Sequence, residues 1–230
     1  AREYVSTEDP AMEIARHLGI QRTTQRIRDR LEPISAKLAV QGVSSDSVSD
    51  INKLSYRYNH LYVDIETSGF GAAKSYVTTV VWWTAEDGWG HWIKGDTEDD
   101  VFKEAWRQAS QLVTYNGKSF DEPFLVEHFD VQKHKNHIDL RYIAAKQGEK
   151  GGLKPICERL GFKSPPYLNS LDGKESIRLW EEYNNRQNDI ALKQLLHYNA
   201  WDVVMTYRLH RHLEGKDIQP IEHNMPFEWT

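Results

Sequence analysis

Two acidic residues, Asp64 and Glu66, directly follow an apolar run in the segment LYVDIETSGF (61–70). The run Leu61–Val63 predicts a buried strand, in which side chains two residues apart share a face at roughly 6–7 Å. Two carboxylates placed in this way repel each other and raise each other's pKa unless a cation lies between them. The pair therefore indicates either a metal site or an exposed edge strand with both acids in water.

Two further carboxylates have surroundings that favour the metal site. Asp121 follows a short apolar strand and the loop segment NGKSF (116–120). Asp202 lies in a helical pattern whose apolar positions recur every three or four residues, so its side chain is expected to face the core. Tyr198, four residues earlier, is expected beside it on the same helix face. A buried charge without a partner is costly, and carboxylate oxygens are the ligands that hard divalent cations prefer.

These residues form three motifs in chain order, and the motifs resemble those of a known nuclease superfamily. The motifs are Asp64-x-Glu66, Asn116-x3-Phe120-Asp121 and Tyr198-x3-Asp202. They are similar to the exonuclease motifs of the DEDD (DnaQ-like) 3′→5′ exonucleases, which have an RNase H-like fold, and the resemblance covers about residues 60–213. The YprB-like predicted exonucleases are the most similar group, because their GGLK and LL-YN--DV patterns resemble Gly151–Lys154 and Leu195–Val203.

The resemblance implies an α/β fold with a mixed β-sheet flanked by helices, and a two-metal-ion hydrolysis of phosphodiester bonds. Two Mg²⁺ or Mn²⁺ ions supply the activated water and stabilise the leaving oxygen in such sites. The resemblance assigns metal ligation to four residues, which are Asp64, Glu66, Asp121 and Asp202. It assigns substrate contacts to Thr67 through its backbone, and to Asn116 and Phe120 at the 3′ end. Lys154 is a further candidate for a phosphate contact, with a solvated lysine as the alternative.

The third motif fits two variants of the superfamily. Tyr198 lies four residues before Asp202, and His197 lies five residues before it. Histidine has a pKa suited to a general base at neutral pH. On an ideal helix, however, Tyr198 lies ~40° from Asp202 around the axis and His197 lies ~140° away. Tyr198 is therefore favoured as the residue that orients the attacking water or helps to deprotonate it, with His197 as the alternative.

The remaining pattern predicts the elements that position these residues. An apolar strand at 61–66 precedes two β-rich runs, 75–84 and 88–95, which are joined by the turn signal AEDG and form a predicted hairpin. Four tryptophans of this hairpin are expected to pack on the sheet: Trp82, Trp83, Trp89 and Trp92.

Further elements are a helix at 97–110, a strand at 111–115, a helix beginning near Phe120, a strand at 137–140 and helices at 143–146, 153–160, 173–183 and 188–213. His128, His134 and His137 are expected to be exposed. This order of elements is typical of an α/β sheet with helices on both faces.

The N-terminal part of the chain predicts a separate helical unit. Residues 1–43 contain IARHLGIQRTTQRIRDRL, which resembles a helix-turn-helix, and within 14–37 six Lys or Arg stand against two Asp or Glu. Such a motif places the first residues of its second helix in the major groove, here Arg22, Thr23, Thr24 and Arg26. Gln25 departs from the motif, where a buried Val or Ile is usual, so a basic helical pair that docks on a protein is the alternative. Residues 44–58 form a Ser/Asp-rich linker, 59–214 the nuclease domain and 215–230 a tail.

Composition limits the protein's class. The 230 residues carry a net charge of −5, which argues against nucleic-acid binding over the whole surface. No run of apolar residues is long enough for a membrane span, no signal peptide is recognised, and the single cysteine excludes an internal disulfide. An intracellular, cytoplasmic protein is expected.

The interpretation is a metal-dependent 3′→5′ exonuclease acting on nucleic acid, with DNA favoured over RNA. A structure-specific endonuclease and a DNA-binding regulator with an inert nuclease domain are the alternatives.

Overall fold

The structure is a computed structural model, and it describes residues 56–69, 74–96, 99–168 and 171–225. The predicted helical unit at 1–43 lies outside the described residues, together with its candidate DNA contacts Arg22, Thr23, Thr24 and Arg26. Most of the predicted linker and the last five residues of the predicted tail also lie outside them. The described residues therefore lie mostly in the predicted nuclease domain.

Among the described residues, five strands and six α-helices follow one another in an α/β order. The strands are β1 (Tyr58–Thr67), β2 (Val77–Thr84), β3 (Gly88–Ile93), β4 (Ala109–Thr114) and β5 (His137–Asp139). The helices are α1 (Asp99–Gln108), α2 (Asp121–Phe129), α3 (Leu140–Lys146), α4 (Leu153–Arg159), α5 (Gly173–Arg186) and α6 (Asp189–Leu213). Short 3₁₀ turns occur at Pro166–Leu168 and Glu222–Asn224.

The strands form one mixed sheet in the order β3-β2-β1-β4-β5. The hairpin of β2 and β3 pairs antiparallel with β1, whereas β4 and β5 are parallel to β1. The sheet is thus antiparallel on one side of β1 and parallel on the other, which places β1 at its centre. The predicted mixed sheet flanked by helices is confirmed.

The two faces of β1 bury different residues because strand side chains alternate. Leu61, Val63 and Ile65 pack in a core with apolar residues of α1 and α2. Tyr62 points to the other face and packs in a second core with α3, α4 and α6. Asp64 and Glu66 lie two and four residues after Tyr62, so their side chains point to the same face of the sheet, toward α6.

The longest helix, α6, begins at a side-chain cap and then covers this second face of the sheet. The Oδ1 atom of Asn188 accepts hydrogen bonds from the backbone N–H groups of Ile190 and Ala191, which satisfies two donors of the first turn. Helix α5 packs beside α6 through Leu179 and Trp180. In the described part of the chain, the helices lack the length and apolar character that a membrane crossing requires.

The tryptophans of the hairpin serve packing, as predicted. Trp82 and Trp92 are buried in the core beneath α1 and α2. The indole N–H of Trp89 donates to the carbonyl of Ile221 at 2.9 Å, and that of Trp92 donates to Asp99 at 2.9 Å. Trp83 and Trp89 are partly buried against the second core, so all four side chains pack on the sheet.

Candidate functional site

Three carboxylates from two elements converge at the end of β1. One oxygen of each of Asp64, Glu66 and Asp202 lies within 4.8 Å of the others. Glu66 is buried, whereas Asp64 and Asp202 are partly buried. The cluster is therefore set into the protein and still reaches its surface.

Local backbone structure explains how β1 presents its pair. The pairing of β1 with β2 runs regularly through Glu66 opposite Thr79, and then shifts so that Thr67 lies opposite Val77. Such an irregularity bends a strand and is common beside active sites. It ends the regular strand directly after Glu66, where the chain must leave the sheet.

A buried amide ties the strand to the helix. The side-chain nitrogen of Asn199 in α6 donates to Oδ2 of Asp64 at 2.5 Å. Its amide oxygen accepts from the Thr79 hydroxyl at 3.1 Å, so both ends of the fully buried amide are engaged. Asn199 therefore fixes the rotation of the Asp64 carboxylate.

Asp121 lies next to this cluster at the start of α2. It is buried, and it accepts hydrogen bonds from its own backbone N–H and from that of Ile65. Burial raises the pKa of Asp121 to about 7, although these two hydrogen bonds oppose the shift. Its charge also raises the pKa of Asp64 and of Glu66, so the four carboxylates share one electrostatic site.

Burial and mutual repulsion keep protons on the cluster. Burial raises the pKa of Asp64 well above its ordinary range, and the neighbouring carboxylates raise it further. Burial also raises the pKa of Glu66 to about 8, although a hydrogen bond from Ser176 opposes this. The pKa of Asp202 is raised by burial as well. A cluster in this state releases protons when a cation replaces them.

One lysine contacts the cluster. The ammonium nitrogen of Lys154 lies 3.9 Å from Oδ1 of Asp202 and 3.8 Å from the ring centre of Tyr198. It also donates to the carbonyl of Leu171 at 3.2 Å. Its positive charge lowers the pKa of Asp202 and of Glu66 against the upward effect of burial. One ammonium balances only part of the charge that four ionised carboxylates would carry.

Tyr198 and His197 have different surroundings, although they are adjacent in the sequence. Tyr198 is buried, and its hydroxyl donates to the Asp202 carboxylate. Burial raises the pKa of Tyr198 above its ordinary value, and the charge of Asp202 raises it further. His197 is also buried, but its Nε2 accepts the indole N–H of Trp201 at 2.8 Å and lies 2.9 Å from the Tyr167 hydroxyl. Its contacts therefore join helix α6 to the segment around Tyr167.

The loop that precedes Asp121 is held by a buried carboxylate. Asp139 accepts hydrogen bonds from the backbone N–H of Asn116 at 2.8 Å and of Lys118 at 3.1 Å. It also caps α3 by accepting from the N–H of Arg141. Asn116 has a φ of 67°, a left-handed conformation that asparagine tolerates better than most residues. The loop therefore has a defined shape beside the cluster.

The other predicted substrate contacts lie around the same site. Thr67 ends β1, is buried, and donates from its hydroxyl to the carbonyl of Gly69 at 2.6 Å. Phe120 immediately precedes α2 and packs on Phe124, with ring centres 5.2 Å apart. The expectation that His128, His134 and His137 are exposed is wrong, because the first two are partly buried and the side chain of His137 is only 3% exposed.

The donor set fits hard divalent cations. The cluster offers only oxygen ligands, the preference of Mg²⁺ and Mn²⁺. Oδ1 of Asp202 is buried and accepts no hydrogen bond from the described residues, and the Lys154 ammonium stays 3.9 Å away, so this oxygen remains available to a metal ion. The residues therefore fit a divalent metal centre.

Sequence reasoning missed two residues that orient the carboxylates. Asn199 holds Asp64, and Ser176 of α5 holds Glu66. A signal for Asn199 exists, because it lies three residues before Asp202 and hence on the same side of α6. Ser176 carries no comparable signal, since its role depends on how α5 packs.

Comparison with known proteins gives a family and a related solved structure. The model of the RNase H superfamily matches residues 61–214, which is more than half of the chain. The solved structure is the family B DNA polymerase from the hyperthermophilic archaeon Pyrobaculum calidifontis, with a TM-score of 0.55 and 16% sequence identity. The match covers 68% of this chain but only 24% of the polymerase, so it concerns the fold alone. A comparison with curated proteins found no match.

The matched region begins within β1 and ends just after α6. It therefore contains both elements that carry the three-carboxylate cluster, as well as Asp121. The order of elements and the mixed sheet are those of an RNase H-like fold. The chain belongs to the RNase H superfamily.

Proposed function

We propose that this protein is a metal-dependent 3′→5′ exonuclease that hydrolyses phosphodiester bonds of nucleic acid. The observation that carries the proposal is the convergence of Asp64, Glu66 and Asp202 within 4.8 Å, with buried Asp121 beside them. A purely structural role does not explain why an RNase H-like fold would gather four carboxylates that raise each other's pKa.

Asp64, Glu66 and Asp202 would hold the metal, with Asp121 completing the set of ligands. Two Mg²⁺ or Mn²⁺ ions would supply an activated water and stabilise negative charge on the leaving oxygen. Asn199 keeps the Asp64 carboxylate in one orientation, and residues that orient ligands in this way support metal affinity. Lys154 lies where its ammonium can also face a substrate phosphate.

Tyr198 is proposed to position the attacking water. Its hydroxyl already donates to Asp202, and its raised pKa keeps the phenol protonated near neutral pH. A protonated phenol donates and accepts a hydrogen bond but does not remove a proton. Positioning is thus the role that its surroundings favour, which corresponds to the tyrosine type of DEDD enzyme and not the histidine type.

End recognition is assigned to the residues around the cluster. Thr67 would contact the terminal nucleotide through its backbone, while Asn116 and Phe120 would position the 3′ end. Their placement beside the carboxylates supports this assignment. The 3′→5′ direction itself is supported by the order and spacing of the three motifs.

DNA is favoured over RNA as the substrate, because the predicted helix-turn-helix in residues 1–43 would suit the major groove of DNA.

The proposal is tested with single-stranded DNA and RNA oligonucleotides that carry a label at either the 5′ or the 3′ end. With Mn²⁺ or Mg²⁺, 5′-labelled DNA should shorten one nucleotide at a time, and 3′-labelled DNA should release a labelled mononucleotide at once. EDTA and the substitution Asp64→Asn should each abolish both reactions. Asp130→Asn is a matched control, because Asp130 is exposed at the end of α2.

A closed circular single-stranded DNA that carries a hairpin, and thus a duplex junction but no end, separates the alternatives. An exonuclease leaves the circle intact, whereas a structure-specific endonuclease opens it. Opening of the circle by wild-type protein but not by Asp64→Asn would overturn the assignment of end recognition. Absence of hydrolysis with either metal on every substrate would leave the inert DNA-binding regulator as the better interpretation.

A further inference from the structure

A cleft lies between the Asn116 loop, helix α3 and the segment that precedes α4. It has a volume of about 660 Å³, within the range that accommodates small organic ligands. Its walls include Tyr115, Asn116, Arg141, Lys150, Gly151 and Gly152.

Both walls of the cleft continue into the catalytic site. One wall is the loop that carries Asn116 and leads into Asp121. The other wall leads from Gly152 into α4, whose Lys154 contacts Asp202. The two walls are joined, because the Tyr115 hydroxyl donates to the carbonyl of Gly151. Both walls of the cleft are therefore linked through the chain to residues at the carboxylates.

The charges around the cleft favour an anion. Arg141 and Lys150 are exposed, and neither has a carboxylate partner within 4.0 Å in the part of the chain that the structure describes. The acidic residue of the cleft wall, Glu149, is neutralised by Arg159, with the two charged groups 2.8 Å apart. The cleft thus carries a local positive charge on a protein whose net charge is −5.

Arg141 is also prepared to bind a phosphate. Its Nη1 donates to Oδ1 of Asn116 at 2.6 Å, which orients that amide and leaves the amide NH₂ free to donate. The guanidinium has five N–H donors in a fixed fork, so further donors remain for a phosphodiester oxygen. The pair presents donors of two kinds at the mouth of the cleft.

An exposed aromatic ring follows Arg141 in α3 and contacts the Asn116 loop. Tyr142 follows Arg141 and is 51% exposed, and its hydroxyl lies 3.5 Å from that of Ser119 in the Asn116 loop. Proteins that bind single strands combine a positive groove with aromatic side chains on which bases stack. Arg141, Lys150 and Tyr142 provide these two components within one short stretch of surface.

We propose that this cleft binds single-stranded polynucleotide immediately 5′ to the scissile bond. Arg141 and Lys150 contact its phosphodiesters, and Tyr142 stacks on a base. The volume of the cleft is of the size that one or two nucleotides of a single strand would fill. This inference rests on the proposed nuclease function and specifies its substrate as a single-stranded 3′ end.

The test compares a long substrate with one too short to reach the cleft. The long substrate is a single-stranded DNA oligonucleotide, and the short one is the p-nitrophenyl ester of thymidine 5′-monophosphate. The variant Arg141→Gln/Lys150→Gln should raise the KM for the oligonucleotide at least ~10-fold more than the KM for the short ester, because any disturbance of Asn116 affects both substrates equally. Tyr142→Ala should act in the same direction. Lys146→Gln is the control, since it removes an exposed charge from the same helix without touching the cleft.

Salt dependence gives a second, independent measurement. Each phosphate contact that is lost lowers the slope of log affinity against log salt by about 0.7 for a single strand. The double variant should therefore bind a fluorescent oligonucleotide in EDTA with a slope lower by about 1.4 than wild type. A blunt duplex should bind wild type and the double variant equally.

The failures of the two proposals are distinguishable. If wild type hydrolyses neither substrate, the nuclease function fails, and the binding measurement in EDTA still decides about the cleft. An unchanged oligonucleotide KM and an unchanged salt slope in the double variant would overturn the cleft proposal. A loss of duplex binding in the double variant as large as its loss of single-strand binding would overturn it as well.

Discussion

The side chain of Asn199 in α6 donates a 2.5 Å hydrogen bond to the carboxylate of Asp64 in β1. These residues are 135 positions apart in the chain, and their contact joins the central strand to the helix that carries Asp202. The amide is fully buried, so no water can replace its hydrogen bonds. The geometry of the cluster therefore depends on a residue that is not itself a proposed metal ligand.

Replacing Asn199 should weaken metal binding. Asn199→Leu keeps the approximate size of the side chain but leaves Asp64 free to rotate, and loss of such outer partners typically costs ~10–100-fold in metal affinity or activity. The measurement is the Mn²⁺ concentration that gives half-maximal hydrolysis, together with calorimetric Mn²⁺ binding. Asn185→Leu, at an exposed position in α5, should leave both unchanged. A folded Asn199→Leu protein with wild-type Mn²⁺ affinity would show that Asp64 needs no such support.

Tyr198 and His197 should respond oppositely to substitution. Tyr198→Phe deletes the hydroxyl that donates to Asp202 and should lower kcat ~10²–10⁴-fold with little change in melting temperature. His197→Phe removes the acceptor of the Trp201 N–H, and a buried unpaired donor costs ~1–3 kcal/mol, so it should lower the melting temperature and largely spare kcat. The measurements are kcat and thermal unfolding of both variants across pH 6–9. The reverse pattern, with activity lost at low pH, would assign the catalytic role to the histidine.

Stability without metal should fall as the pH rises. The pKa of Glu66 is raised to about 8 and that of Asp121 to about 7, so the folded state holds protons that the unfolded chain would release. Groups with a raised folded pKa stabilise the protein below their ordinary values near 4, and this contribution is lost as the pH passes through 7–8. In EDTA, the melting temperature should therefore be lower at pH 8.5 than at pH 6.

Metal should reverse this loss. Saturating Mn²⁺ at pH 8.5 should raise the melting temperature by ~5–10 °C, because it binds only the folded cluster. Asp64→Asn should melt higher than wild type in EDTA at pH 8.5, since it removes one of the repelling charges, and should respond less to Mn²⁺. If wild type in EDTA melted at the same temperature at pH 6 and pH 8.5, the four carboxylates would not form a mutually repelling cluster.

Asp139 should matter for substrate binding through the loop that it holds. Asp139→Asn keeps the shape but replaces one accepting oxygen with an NH₂ group, and hydrogen bonds to a charged group contribute ~1.5–3 kcal/mol. We expect a lower free energy of unfolding in urea and a higher KM for oligonucleotides. Asp130→Asn, at a φ of 50° that asparagine tolerates, should change neither. A wild-type KM in Asp139→Asn would show that the shape of the Asn116 loop is not needed for substrate binding.

Local patterns in the sequence predicted much of this fold. The apolar run before Asp64 predicts β1, although the strand begins at Tyr58, three residues earlier than predicted. The three- and four-residue spacing around Asp202 predicts α6 and the side of it that meets the sheet. Alternation along β1 explains in turn why Asp64 and Glu66 meet that helix.

The remainder depends on contacts between segments that are distant in sequence. The sequence around Asp139 predicts only a short strand. The parallel pairing of β4 with β5 is what brings the Asp139 carboxylate under the Asn116 loop. Lys154 reads as a possible phosphate contact, yet the packing of α4 places its ammonium against Asp202 and Tyr198. His137 reads as one of several exposed histidines, but β5 buries it. Spacing along the chain contains no information about these pairings.

The most direct test of the central claim is a crystal of the full chain soaked with Mn²⁺ and measured for anomalous scattering. We predict one or two strong anomalous peaks coordinated by carboxylate oxygens of Asp64, Glu66 and Asp202, and their loss in Asp202→Asn crystals soaked in the same way. Peaks only elsewhere on the protein, or none at a Mn²⁺ concentration that supports hydrolysis, would contradict the assignment of these carboxylates as the metal centre.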